Sequence, residues 1–271
     1  MGASQSQASE EACHNQPQDT EEATEIKLSE TKSKTEENAA EPQPQTKSEE
    51  KARNVMISDT NSKRVLEIKL PYNYESLLRE VDSPVDRSST EKLYHQLCTG
   101  VFLNQKKRKY WIERMSNSNC FFLFARDLSI TWAEDSRFWH WPYIHETSDI
   151  SIDVAELLNV CWLEVHGKFD TTELSPGVLY EVAFVIMLKD PAYGWEVPVY
   201  FRLTLPNGIK QERKEILMTK PRVQWIEIPV GEFIPSQENC GEMEISMFEY
   251  SGVKWKRGLV VKGVIIRPKH C

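Results

Sequence analysis

From Val101 onward the chain is a succession of short apolar or alternating runs, each closed within about 8–12 residues by a polar, glycine or proline turn. Nothing else in the sequence constrains the fold so tightly. Lys109 to Arg114 opens the series, and Cys120 to Ala125 is continuously apolar. Asp127 to Trp132 alternates, so Leu128, Ile130 and Trp132 share one face and Asp127, Ser129 and Thr131 the other. Val160 to Phe169 places Cys161, Leu163 and Val165 opposite Trp162, Glu164 and His166. Val178 to Leu188 is apolar on both faces, as a central strand of a sandwich should be. Val199 to Leu205 pairs with Lys210 to Glu215 through Pro206-Asn207-Gly208. Gln224 to Val230, Glu242 to Tyr250 and Leu259 to Ile266 complete about eight to ten strands. Ser151 to Leu158 fits a strand or a helical turn equally well. With no long helices between the strands, the pattern predicts an all-β, jelly-roll-like β-sandwich over residues 99–271.

What precedes it is different. Residues 53–98 read as a leader with a short helix: Ser88, Ser89 or Thr90 caps it, Glu91 sits in its first turn, Leu93 and Leu97 share a face, and Gly100 stops it. Residues 1–52 contain no aromatic side chain, the first being Tyr72. They are expected to be a disordered acidic tail, because so little apolar area cannot offset a backbone ordering cost of about 1–2 kcal/mol per residue. The formal net charge of −8 belongs to this tail: residues 1–50 hold 12 acidic and 4 basic side chains, and residues 51–271 hold 29 of each sign. The main domain therefore has no bulk attraction for RNA or DNA.

Met1-Gly2-Ala3-Ser4-Gln5-Ser6 fits the N-myristoylation pattern at Gly2. One acyl chain with no polybasic partner would give only weak peripheral membrane attachment. No secretory signal or membrane-spanning apolar run is expected. Cys13, Cys98, Cys120, Cys161, Cys240 and Cys271 lack regular spacing, and free thiols in a reducing compartment are expected.

The familiar nucleotide, hydrolase, zinc and calcium motifs are missing, so no cofactor and no metal are expected; His140 and His145, five apart, lack the partners of a zinc site. Lys106 to Lys109 reads as an import signal or, more simply, as a solvated edge-strand face. A glycosidase would need two carboxylates about 5–9 Å apart. What remains is Ser129 to Trp141, SITWAEDSRFWHW, which sets Trp132, Trp139 and Trp141 around the polar turn Glu134-Asp135-Ser136-Arg137. Such rings either plug a core or form a platform on which a sugar stacks while carboxylates accept from its hydroxyls. Strand parity draws Trp132 inward, Trp139 on a loop leans toward a ligand, and Trp141 is open to either reading.

Ala125-Arg126-Asp127-Leu128-Ser129-Ile130-Thr131-Trp132 followed by Asp135-Ser136-Arg137-Phe138-Trp139-His140-Trp141 resembles the signature of the plant phloem protein 2 and Nictaba-like lectins. So do Val154 to Leu158, Cys161 to Glu164, Leu174-Ser175-Pro176, and the ending from Lys254-Trp255 to Pro268. The resemblance runs from about Lys92 to Lys269. It implies a jelly-roll-like lectin, not an enzyme, that binds N-acetylglucosamine oligomers and N-glycan cores in the cytoplasm, as in phloem, and in the nucleus. It also implies that Trp132 and Trp139 meet the sugar, with Trp141, Glu134, Asp135 and Glu249 as rim or hydrogen-bonding residues, and that the lectin is a homodimer. The competing expectation is a phloem structural or RNA- and protein-interaction module of the same fold without strong sugar binding. Some relatives carry an F-box ahead of the lectin domain; this chain has the acidic tail and leader instead.

Overall fold

The computed structural model describes residues 68–252 and 254–269, so Gly2 and the whole 1–52 segment lie outside the described residues. In chain order the strands are β1 (Val101–Leu103), β2 (Arg108–Glu113), β3 (Ser118–Phe124), β4 (Ser129–Ile130) and β5 (Trp139–His140). Next come β6 (Tyr143–His145), β7 (Ser151–Asp153), β8 (Ala155–Leu157), β9 (Leu163–Asp170) and β10 (Tyr180–Tyr193). The series ends with β11 (Val199–Thr204), β12 (Lys210–Glu215), β13 (Ile226–Phe233), β14 (Glu242–Glu249) and β15 (Arg257–Pro268).

These form a β-sandwich. One sheet runs β1-β2-β3-β15-β10-β13, with β8 also pairing β15 and β5 pairing β8. The other runs β12-β11-β14-β9-β4, and β6 and β7 form a separate hairpin. Side-chain alternation makes the core. Tyr110, Phe121, Phe184 and Val264 from the first sheet meet Val165, Phe201, Ile245 and Met247 from the second in one buried cluster. The ambiguous Ser151–Leu158 run is strand, split into β7 and β8.

The central strand β10 is buried on both faces, as its unbroken apolar run requires. Phe184 and Ile186 point into the sandwich, while Ala183 and Val185 join Phe122, Phe124 and Ile265 in a second cluster. Ile152 and Ile144 of the β6–β7 hairpin cover that cluster. The β11–β12 hairpin turns at Gly208, whose φ of 84° a residue without Cβ tolerates, and Asn207 Oδ1 accepts the Ile209 N–H at 3.1 Å.

The helix Thr90–Thr99 forms as its sequence predicts. Ser89 Oγ caps it by accepting the Lys92 N–H at 3.2 Å, and Gly100 ends it at φ 101°. Its Leu93 and Leu97, with Leu77 and Leu78 of the segment before it, belong to the main buried cluster.

One carboxyl in this frame is held against its preference. Burial raises Glu173 to about 7, outweighing the opposing pull of Arg108, which lies 3.7 Å away. The folded state therefore binds a proton here more tightly than the unfolded chain. That contribution is present at low pH and is lost as the pH rises through about 7. Glu173→Gln is expected to leave stability near pH 4 unchanged and to raise it at pH 8 by on the order of 2 kcal/mol. Urea melts at the two pH values check this; an equal effect at both would contradict it.

Candidate functional site

The aromatic stretch is the place where the chain crosses from one sheet to the other. β4 is the edge of the second sheet, with Ser129 opposite His166 and Ile130 opposite Val165 on β9. β5 belongs to the first sheet, with Trp139 opposite Leu157. Between them the backbone winds through tight turns, in which the Asp135 N–H donates to the Trp132 carbonyl at 3.0 Å and the Asp135 carbonyl accepts from Phe138 and Trp139 at 2.9 and 3.0 Å.

Trp132 starts this winding with φ at 60°, the left-handed region that a bulky L-residue avoids at a cost of about 1–2 kcal/mol. The twist ends the alternation of β4, so the ring packs against the core beside Leu128 and Ile130 with only part of its surface. It lies half-buried, tilted between Phe138 at 5.1 Å and Trp162 at 4.8 Å between ring centroids. Trp132 then forms part of an open depression of about 790 Å³ with Leu128, Ser129, Ile130, Ala133, Glu134, Asp135 and Ser136.

The expected sugar contacts fall into distinct places. Trp139 is a plug: it is 2% exposed, and its Nε1–H donates to the Thr131 carbonyl at 3.0 Å. Burial in the first sheet overturns its reading as a stacking ring. Trp141 braces the turn from behind. Its Nε1–H donates to the Ala133 carbonyl at 2.9 Å, and the Arg126 guanidinium covers its ring at 3.7 Å.

Of the two carboxylates of the turn, Glu134 is exposed. Asp135 takes a bidentate contact from Arg137, with Nε to Oδ1 at 3.0 Å and Nη2 to Oδ2 at 2.6 Å. Hydrogen bonds from the Arg137 side chain and backbone hold the Asp135 pKa down at about 2.

Glu249 is not at the depression. Parity on β14 sends it inward with Met243, Ile245 and Met247, and it is 2% exposed. There it forms an ion pair with Lys256, itself 0% exposed, and accepts the Ser251 N–H at 2.7 Å. Lys256 Nζ also donates to the carbonyls of Cys161 and Lys254 at 2.8 and 2.9 Å. Its backbone pairs with Val160 in both directions. The reading of Glu249 as an acceptor for sugar hydroxyls is therefore corrected to that of a buried clamp. Cys161 is disulfide-bonded, against the expectation of free thiols, whereas Cys98, Cys120 and Cys240 are free.

Sequence reasoning passed over two residues that hold the depression in place. Glu164 lies on the outward face of β9 and Trp162 just before that strand, two residues apart in the alternation that the sequence shows from Val160. Glu164 accepts from Thr131 Oγ1 at 2.7 Å and from the Tyr250 hydroxyl at 3.1 Å, and its carbonyl accepts the Thr131 N–H at 3.1 Å. Burial raises its pKa, but the bonds from Thr131, His166 and Tyr250 outweigh this and hold it below the ordinary value. Among the described residues no His, Cys, Asp and Glu cluster is arranged to hold a metal ion.

A family model described as Phloem protein 2 matches residues 118–268, which span the sandwich from β3 to the end of β15. Protein PHLOEM PROTEIN 2-LIKE A1 of Arabidopsis thaliana is 48% identical over 206 residues, 75% of this chain and 83% of the relative. A protein named Lectin from Luffa acutangula is 43% identical over 206 residues, 75% of this chain and 97% of the relative. Among solved structures, Caldicellulosiruptor saccharolyticus CBM27-1 in complex with mannohexaose overlaps 56% of this chain and 99% of its own, at 9% identity and a TM-score of 0.34. That overlap is loose enough to say nothing of function. The family model covers more than half of the chain and the relatives match it closely in sequence: the chain belongs to the phloem protein 2 family.

Proposed function

We propose that this protein is a carbohydrate-binding lectin whose ligand is an N-acetylglucosamine oligomer and whose primary contact is the exposed part of Trp132. The observation that carries the reading is the strained, half-buried Trp132 at the wall of an open depression. Backbone strain on a bulky residue persists where the surroundings over-determine it, and it points to function when the strained side chain meets solvent. A pyranose presents a C–H face that stacks on an aromatic ring and hydroxyls that need acceptors. Glu134, Asp135 and Ser136 supply acceptors beside the ring. Asp135, held ionised by Arg137, can accept hydrogen bonds from sugar hydroxyls. The similarity to a protein named Lectin supports the same class.

Trp132→Gly tests the proposal cleanly. Glycine adopts a φ of 60° without strain, so the variant recovers part of the stability lost with the ring contacts. Calorimetric titration with chitotriose is expected to show affinity reduced at least tenfold while the far-UV spectrum and cooperative melt persist. A folded Trp132→Gly that binds as tightly as wild type would sink the assignment.

A further inference from the structure

The outer face of the second sheet does not end at the Trp132 depression. Next to it lies another, of about 350 Å³, lined by Asp127, Ser129, His166, Lys168 and Glu244. Ser129, on the two-residue edge strand β4, lines both, so the two are neighbours on the surface. We propose that the second depression is a further saccharide subsite, which takes the next pyranose of an oligosaccharide whose first unit stacks on Trp132. The proposal rests on the lectin reading and extends it to residues that no resemblance assigns.

The chemistry of the walls selects a neutral polyol. The charged groups that line the depression are already engaged: Asp127 meets Arg108 at 2.6 Å, Lys168 meets Glu242 at 2.7 Å, and Glu244 accepts from Ser246 Oγ at 2.9 Å and lies 2.9 Å from His166 Nδ1. A cation or an anion would have to compete with these contacts, and no large apolar side chain is offered to a hydrophobic ligand. What remains is a row of donors and acceptors with spare capacity. The Ser129 hydroxyl has no partner among the described residues, and the Lys168 and Glu244 side chains reach well into solvent, at 65% and 44% exposure. Alternating donors and acceptors of this kind fit adjacent sugar hydroxyls.

The floor is also pre-organised. The His166 ring is fixed from both edges, with Nε2 3.1 Å from Glu164 and Nδ1 2.9 Å from Glu244 and 3.2 Å from Ser246 Oγ. Glu164 at the same time holds Thr131 beside Trp132, so one hydrogen-bonded row spans both depressions. A ligand bridging them meets a rigid surface and loses little entropy to ordering side chains.

The test is the dependence of affinity on chain length, measured by calorimetry with chitobiose, chitotriose and chitotetraose. The full-length wild type is expected to gain about tenfold from the disaccharide to the tetrasaccharide. In Lys168→Ala/Glu244→Ala that ratio should fall close to one. Both side chains are solvent-facing, and Lys168→Ala alone, expected to lose part of the gain, guards against a folding defect in the double variant. If the variants keep the full ratio, or if wild type binds all three oligomers equally, the second subsite is overturned while the Trp132 site stands. If wild type binds none of them, the chitin-oligomer reading fails and this proposal fails with it.

Discussion

Trp139→Ala is expected to destabilise the sandwich by about 3–5 kcal/mol, the range for deleting a large aromatic from a packed core. For a domain of this size each kcal/mol lowers the melting temperature by about 2–4 °C, so a loss of at least 6 °C should be seen by calorimetry. The ring is almost wholly enclosed, and it also ends a hydrogen bond to the Thr131 carbonyl, one residue before the strained Trp132. Removing it leaves a cavity and an unpaired carbonyl at the crossing between the sheets. Trp139→Phe restores most of the volume but not the donor, and should cost nearer 1 kcal/mol. The decisive comparison is with Trp132→Gly. Sugar affinity of Trp139→Ala, measured below its melting transition, should stay within a few-fold of wild type. A Trp139→Ala variant that melts like wild type yet fails to bind chitotriose would restore Trp139 to the ligand and refute the plug.

The contrast between these two tryptophans shows how far the sequence could lead. Strand identity was legible because alternation is a local property, and the sandwich follows from it: Leu163, Val165 and Phe169 point inward on β9, and Glu164, His166 and Lys168 outward. The same rule drew Trp132 inward, and part of the ring does pack against the core. Its exposed part was not legible, because parity survives only while the backbone stays extended, and a φ of 60° at the tryptophan itself is not written in its neighbours. Family resemblance pointed to both rings but could not say which one faces solvent. That depends on β5 joining the other sheet, a long-range pairing with Leu157. Glu249 was misread for the opposite reason. It lies two residues after Met247 on β14, so the strand period places it on the inward face, whereas the resemblance pointed only to the residue type. The partner Lys256 lies beyond a loop, and no local pattern announces a lysine with 0% exposure. Trp162 and Glu164 were visible as outward residues, yet their role exists only because the turn after β4 folds down onto them.

Glu249→Ala is expected to be as damaging as the loss of Trp139, through a different mechanism. The Lys256 ammonium is sealed from water and keeps only the two carbonyls of Cys161 and Lys254 when its carboxylate is removed. Breaking a buried pair from one side typically costs about 3–5 kcal/mol, because the remaining charge is uncompensated. That is a large share of the stability of an ordinary domain, about 5–15 kcal/mol. The damage should reach the sugar site indirectly, since Lys256 pairs with Val160 and anchors the segment that carries Trp162 under Trp132. Replacing both charges, as in Glu249→Leu/Lys256→Met, removes the orphan and should recover most of the stability of wild type. Two measurements on that double variant separate a clamp from a ligand contact. Its urea midpoint should lie far above that of Glu249→Ala, and its affinity for chitotriose should match wild type within about threefold. A double variant that is stable but blind to chitotriose would mean that the Glu249 carboxylate itself reaches the sugar, and that the buried pair opens when ligand binds.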